Sequence, residues 1–422
     1  MKKRILIGLV VPVLLIQSCS IRTIPQPYLN NKRTYPRPHV LAVFMDGTNN
    51  KANKDPLRNT HVKTTHSLVK REIRSMYIEG VGTRKKLAGG LLGLGTKARV
   101  VKAYRFLSEY YAPGDSICLF GFSRGANQCR ILSNLVYTVG VLDLKEVEEE
   151  REKMKLIKQT YKLYRKKYYT PGEKKANAAN YLSSWNEKNP VNQVYYDTTS
   201  KTRIELMGLW DTVEAFKLDG KETTGPRKDH LNQIENVKKV FHAVALDDNR
   251  ALTYTPVLLT SAEVSVASGI DMDSVVEEVW FSGSHRDVGG SHKNDPYLQD
   301  ISLNWMLSKT KPYNLFHNTS ITEYIYAQPH NMLEQKIMRI PFKNLNRNIA
   351  GYYKDMAPAY NNGRLKVHNS VILRLQEGVV PDFKATRGRV DWFDQAPFKD
   401  CFIKDGRKRI FKEDCNCIER VN

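Results

Sequence analysis

The chain has no internal repeat and no long low-complexity block, so its organisation must be read from the order of its elements. Its six cysteines include no CxxC pair and no histidine-partnered set, which argues against a zinc centre. Formal charge is +22, but no nucleic-acid-binding motif accompanies it, so nucleic acid is not an expected partner. Gly90 to Lys97 is glycine-rich yet reads Thr96-Lys97 where a P-loop needs Gly-Lys-Ser/Thr, and is better taken as a flexible apolar loop able to touch lipid. Asp46-Gly47-Thr48 lacks the second aspartate that aspartyl-phosphate chemistry needs two residues earlier, where Phe44 stands.

What is present is enough apolar residue, 41% of 422, to build a large core in one elaborated α/β domain. The N-terminus has basic Lys2, Lys3 and Arg4 before the apolar run Ile5 to Ile16, which is short of the roughly 20 residues that span a bilayer. Residues 1–18 therefore read as a signal peptide. The run closes in Leu15-Ile16-Gln17-Ser18-Cys19, similar to a bacterial lipoprotein signal with Cys19 as the lipidated residue; the alternative is an ordinary secretory signal. Residues 19–38 carry Pro25, Pro27, Pro36 and Pro38 and read as an extended tether. This predicts a membrane-anchored lipoprotein of the bacterial cell envelope, periplasmic or at the cell surface. The basic charge suits anionic membrane phosphate.

Residues 39–400 read as the globular domain and 401–422 as a tail that a bridge from Cys401 to Cys415 or Cys417 would staple, worth roughly 3 kcal/mol for a loop of about 15 residues. Cys118 and Cys129 read as packing thiols. His39 to Met45 is a buried-strand pattern ending in the turn cluster Asp46 to Asn50. Val100, Tyr104, Leu107 and Tyr111 mark a helix face. Ser116 to Phe120 reads as a buried strand, and from about Arg124 the spacing of Ala126, Cys129, Leu132 and Val136 predicts an amphipathic helix ended by Gly140. Lys145 to Tyr169 reads as a charged surface helix, with a cap over the site as the alternative. Two further strands, Ile204 to Trp210 and Val275 to Phe281, lead into Asp211 and into the loop holding His285. Such alternation requires a parallel sheet.

Three strand ends thus deliver Ser123, Asp211 and His285. Gly121-Phe122-Ser123-Arg124-Gly125 fits the G-x-S-x-G turn that exposes a nucleophilic serine. A serine hydroxyl needs a base, which imidazole supplies near neutral pH, and a third group to orient the base. Asp211 is favoured as that group because it ends a strong apolar strand. Asp287, two residues past His285, is the alternative acid and otherwise shapes the loop with Gly289 and Gly290. The order Ser, Asp, His is the α/β-hydrolase order. The expected oxyanion donors are the backbone N–H groups of Arg124 and of the Gly47-Thr48 turn. No metal or organic cofactor is required by this chemistry.

With these residues assembled, the chain resembles the α/β-hydrolase family that includes the catalytic domain of type VI secretion phospholipase effectors. The resemblance rests on ordered blocks: Phe44 to Asn50, Gly80-Val81-Gly82-Thr83, Pro113-Gly114-Asp115 running into Gly121 to Ala126, Leu209-Trp210-Asp211-Thr212-Val213, and Trp280 to Gly290. Lesser echoes are His242 to Asp247 with Arg250, and Val367 to Val371. It implies a mostly parallel sheet flanked by helices with helical insertions, a Ser123-Asp211-His285 esterase site and, as in characterised relatives, phospholipase activity on a lipid ester. Met45, Ser284, Arg286 and Ser291 depart from the family pattern, which bears on substrate preference. A lipoprotein signal sits poorly with injection as a toxin. The rival reading is a non-catalytic basic envelope lipoprotein that binds anionic partners. Subunit number is not legible in the sequence.

Overall fold

The computed structural model describes residues 39–81, 95–166, 170–190, 194–197, 204–214, 234–251, 253–292, 297–332, 345–381 and 390–422. The signal-like segment, Cys19, the tether and most of the Gly90 to Lys97 loop lie outside them. Among the described residues no helix is long and apolar enough to cross a membrane.

Eight strands form one sheet: β1 (Val40–Met45), β2 (Arg74–Ile78), β3 (Ser116–Phe122), β4 (Ile204–Trp210), β5 (Val240–Ala245), β6 (Val276–Phe281), β7 (Leu365–His368) and β8 (Ile418–Val421). Their spatial order is β8-β7-β6-β5-β4-β3-β1-β2, and every neighbouring pair is parallel. All carboxyl ends therefore lie along one edge, where open α/β sheets place their sites.

Helices cover both faces, which is why the strands read as continuous apolar runs. On one face Leu41, Val43, Met45, Ile117 and Leu119 pack with α2 (Thr96–Tyr110) and α3 (Arg124–Val139); on the other, Ala42, Phe44, Phe120 and Phe122 pack with α1 (His61–Ser67) and, further along, with a helix of Asp300–Thr310. Alternation along a strand sends successive side chains to opposite faces, so both cores are specified by the same heptapeptides. The charged stretch after Lys145 forms α4 (Glu150–Tyr164), which buries Leu156, Ile157, Tyr161 and Tyr164 and leaves its other face to solvent. It packs on α2, α3 and α5 (Pro171–Lys188), a helix started by a Thr170/Glu173 capping box.

Cys118 and Cys129 are fully buried packing thiols, as their spacing predicts. The stretch from Cys401, read from sequence as a stapled tail, is instead part of the domain: it supplies β8, which pairs Ile418 to Val421 with Leu365 to His368. Pairing of a strand so near the end of the chain carries no local signal that tells it from an appendage. A Cys401–Cys415 disulfide closes the preceding loop, and Cys417 is a buried free thiol.

Candidate active site

Ser123 joins β3 to α3 at a corner with φ 57° and ψ −126°, a conformation costly for a residue with a side chain, about 1–3 kcal/mol. The corner is held by Ser123 N–H donating to Trp210 O at 3.0 Å and Val213 N–H donating to Ser123 O at 3.3 Å. Gly125 permits it: a Cβ there would stand 2.0 Å from Met45 O. The first turn of α3 therefore lies directly against the end of β1.

Asp211 ends β4 with φ 38°, anchored by its N–H to Ala243 O at 2.7 Å. His285 opens a one-turn helix, α6 (His285–Gly289), beyond β6. Ser123 Oγ lies 2.8 Å from His285 Nε2, and His285 Nδ1 lies 2.5 Å from Asp211 Oδ2. All three side chains are buried. The imidazole is packed between Phe122, at 4.5 Å between ring centroids, and Tyr254, at 4.8 Å. Its backbone N–H donates to Asp248 Oδ2 at 3.0 Å, and Asp248 is itself ion-paired with Arg250.

Arg347 is a site residue that no motif announced. It is fully buried and donates to both Asp211 oxygens at 2.8 Å, and also to the carbonyls of Ala245 and Tyr254. Burial alone would raise the Asp211 carboxyl, but the Arg347 charge and the His285 and Arg347 hydrogen bonds outweigh it and hold the group well below the usual carboxylate range. For His285 burial is the largest influence and wins over the Asp211 attraction, leaving the imidazole below its ordinary value.

Asp287, the alternative acid, turns elsewhere. Its Oδ2 accepts from Ser284 N and Oγ and from His330 N, at 2.8, 2.9 and 3.0 Å, and its Oδ1 faces His330 Nδ1 at 2.6 Å. With His292 these residues place three ligand-type atoms within 4.8 Å of one another, a set able to hold a divalent ion. The second such group among the described residues, Cys401, Cys415 and Cys417, has two of its sulfurs in the disulfide.

The Gly47-Thr48 turn abuts the serine: a Cβ on Gly47 would stand 3.0 Å from Ser123 Cβ. It is clamped from below by Gly80, whose added Cβ would meet Gly47 O at 1.6 Å, and by Asn49 N–H donating to Val81 O at 2.8 Å. This accounts physically for the Gly80-Val81 block. One expectation needs correction. The Gly47 N–H donates to Asp46 Oδ1 at 2.7 Å and is therefore already engaged. Asp46 is buried, its carboxyl pushed up to about 6 by that burial against hydrogen bonds from Tyr77, Thr60 and Gly47. The first turn of α3, which begins at Arg124, has no side-chain cap.

Among known proteins, an uncharacterized protein of Saccharomyces cerevisiae is 31% identical over 163 residues, 37% of this chain and 21% of that protein. An uncharacterized Pseudomonas aeruginosa protein of known structure has 16% identity and a TM-score of 0.38, covering 67% of this chain and 46% of that one. The Tle1 effector bound to the VgrG spike of the type 6 secretion system has 18% identity and a TM-score of 0.29, covering 62% of this chain and 52% of the effector. The chain thus spans about a fifth of the curated relative and about half of each of these solved chains. The model of the family described as "T6SS, Phospholipase effector Tle1-like, catalytic domain" matches residues 39–309, and so takes in β1 to β6 and the ends that carry Ser123, Asp211 and His285. The chain belongs to the Tle1-like phospholipase effector catalytic-domain family.

Proposed function

We propose that this protein is a serine hydrolase that cleaves a carboxylic ester of a phospholipid or related lipid through an acyl-enzyme at Ser123. The observation that carries the reading is the continuous run from Ser123 Oγ through His285 to Asp211, at 2.8 and 2.5 Å. His285 Nε2 takes the serine proton as Oγ attacks the ester carbonyl carbon. The developing oxyanion is met by the Arg124 and Thr48 N–H groups. Collapse expels the alcohol, which receives the proton from His285. Water then enters and attacks the acyl carbon as it gives a proton to the same nitrogen, which passes that proton to Ser123 Oγ when the fatty acid leaves. Asp211 stays ionised throughout, holding His285 in the tautomer that leaves Nε2 free to accept.

A fluorophosphonate probe is expected to label the folded protein, with labelling lost in Ser123→Ala. Absence of labelling of well-folded protein would instead favour the non-catalytic anion-binding lipoprotein. Lipidation at Cys19 belongs to the same proposal and places the enzyme at a membrane surface; incorporation of radiolabelled palmitate that persists in Cys19→Ala would refute it.

A further inference from the structure

The arginines around Ser123 fall into two sets. Arg347 and Arg250 are each neutralised by a buried aspartate, Asp211 at 2.8 Å and Asp248 at 2.5 Å. Arg124 and Arg286 are not: among the described residues the side chain of neither makes an ion pair or hydrogen bond. They sit next to the two reacting groups, Arg124 directly after Ser123 at the start of α3 and Arg286 directly after His285 on α6. Both are half-buried. Burial lowers both guanidinium pKa values. Because Ser123 Oγ and His285 Nε2 lie 2.8 Å apart, the residues that follow them flank one site, which Tyr254 also borders, its ring 4.8 Å from the His285 ring.

Two partly desolvated cations without a counter-ion are unfavourable in the free protein unless their partner arrives with a ligand. That ligand must be an anion. Guanidinium forks match phosphate oxygens in pairs, and a phosphodiester a few bonds from an acyl ester is what a glycerophospholipid presents. Arg286 is also one of the positions where the histidine loop departs from the family pattern. We propose that Arg124 and Arg286 form the subsite that takes the phosphate of the substrate while Ser123 attacks its acyl ester. The proposal rests on the ester-hydrolase reading and adds the residues that would select the substrate.

The test is a matched pair of soluble esters differing by the phosphate headgroup, dihexanoylphosphatidylglycerol and dihexanoylglycerol, assayed below micelle concentrations with the full chain. In Arg286→Gln the ratio of kcat/KM for the first over the second is expected to fall about 10- to 100-fold, the worth of a charge-assisted contact. The loss should appear in KM, with partial recovery in Arg286→Lys. A second arm is independent of turnover: Ser123→Ala protein should bind dihexanoylphosphatidylglycerol by calorimetry, and Ser123→Ala/Arg286→Gln should bind it at least about 10-fold more weakly. An unchanged ratio in folded Arg286→Gln overturns the subsite, as does unchanged lipid binding in the second arm. Inorganic phosphate that competes as tightly as the lipid overturns the assignment to a lipid headgroup. If the wild type cleaves neither ester, the hydrolase reading falls by itself, and the binding arm still decides whether Arg286 holds phosphate. If Arg286→Gln does not fold, equal ratios in Arg286→Lys and wild type, with Arg124→Gln also unchanged, overturn the proposal.

Discussion

Ser123→Ala and His285→Ala are each expected to lower kcat/KM on a short-chain ester by roughly 10⁴- to 10⁶-fold, and the double variant to be no slower than the worse single one. The serine is activated only through the 2.8 Å contact to His285, so once either partner is gone the other has nothing left to do. Residual hydrolysis would come from the Arg124 and Thr48 donors and from substrate binding. Ser123→Ala touches neither the strand pairing nor the packing of the helices that frame the site, so its melting temperature should stay close to that of the wild type. The strained corner at Ser123 is held by backbone bonds to Trp210 and Val213 that survive loss of the hydroxyl. Losses that multiply in the double variant would mean that the two residues act separately.

Arg347→Met is expected to damage stability and catalysis together. The substitution strands the Asp211 carboxylate in a fully buried position with His285 as its remaining side-chain partner, and breaking a buried ion pair from one side costs about 3–5 kcal/mol. The carbonyls of Ala245 and Tyr254 lose a donor as well. Chemical denaturation should show the loss, with Arg347→Lys intermediate because one ammonium cannot engage both carboxylate oxygens. The pH profile gives a second readout. His285 must be neutral to act as base, and its folded value lies below the usual 6.5, chiefly through burial. Activity is therefore full above 6.5 and is lost as pH falls through that lowered value. Without Arg347 the Asp211 charge acts on His285 unshared, favours the imidazolium and raises its pKa. The acid limb of kcat/KM should move to higher pH. A limb that stays in place or moves down would show that Arg347 does not modulate the Asp211–His285 pair.

Much of the centre of this fold was legible because buried parallel strands leave continuous apolar runs: Ile204 to Trp210 is a strand at those limits, and the Ser123 strand runs only two residues past its expected end. Their successors Asp211 and Ser123 were then placed by the rule that sites sit at carboxyl ends of such strands. The flanks were less legible. β2 is an edge strand of partly exposed residues beginning with Arg74, so its apolar signal is weak. β5 carries His242 in an otherwise apolar run, satisfied in the core by Glu278 at 2.8 Å. Asp211 is favoured over Asp287 because it ends a strong apolar strand; that Asp287 turns to His330 instead is set by a contact 43 residues away in sequence. Arg347 was out of reach of local reading because its role comes from a contact 136 residues away in sequence. The Gly47 N–H shows the same limit on a smaller scale: only the side-chain rotamer of Asp46, set by Thr60 and Tyr77, decides that this donor is taken.

The central claim is that a covalent acyl intermediate forms on one hydroxyl. Mixing the protein with a p-nitrophenyl ester, quenching in acid on the millisecond timescale and weighing the intact chain tests it directly. A mass increase equal to one acyl group, mapped by peptide digestion to Ser123 and appearing with a burst of p-nitrophenol, is the predicted result. Turnover with no adduct at any quench time, or an adduct on another residue that persists in Ser123→Ala, would contradict it.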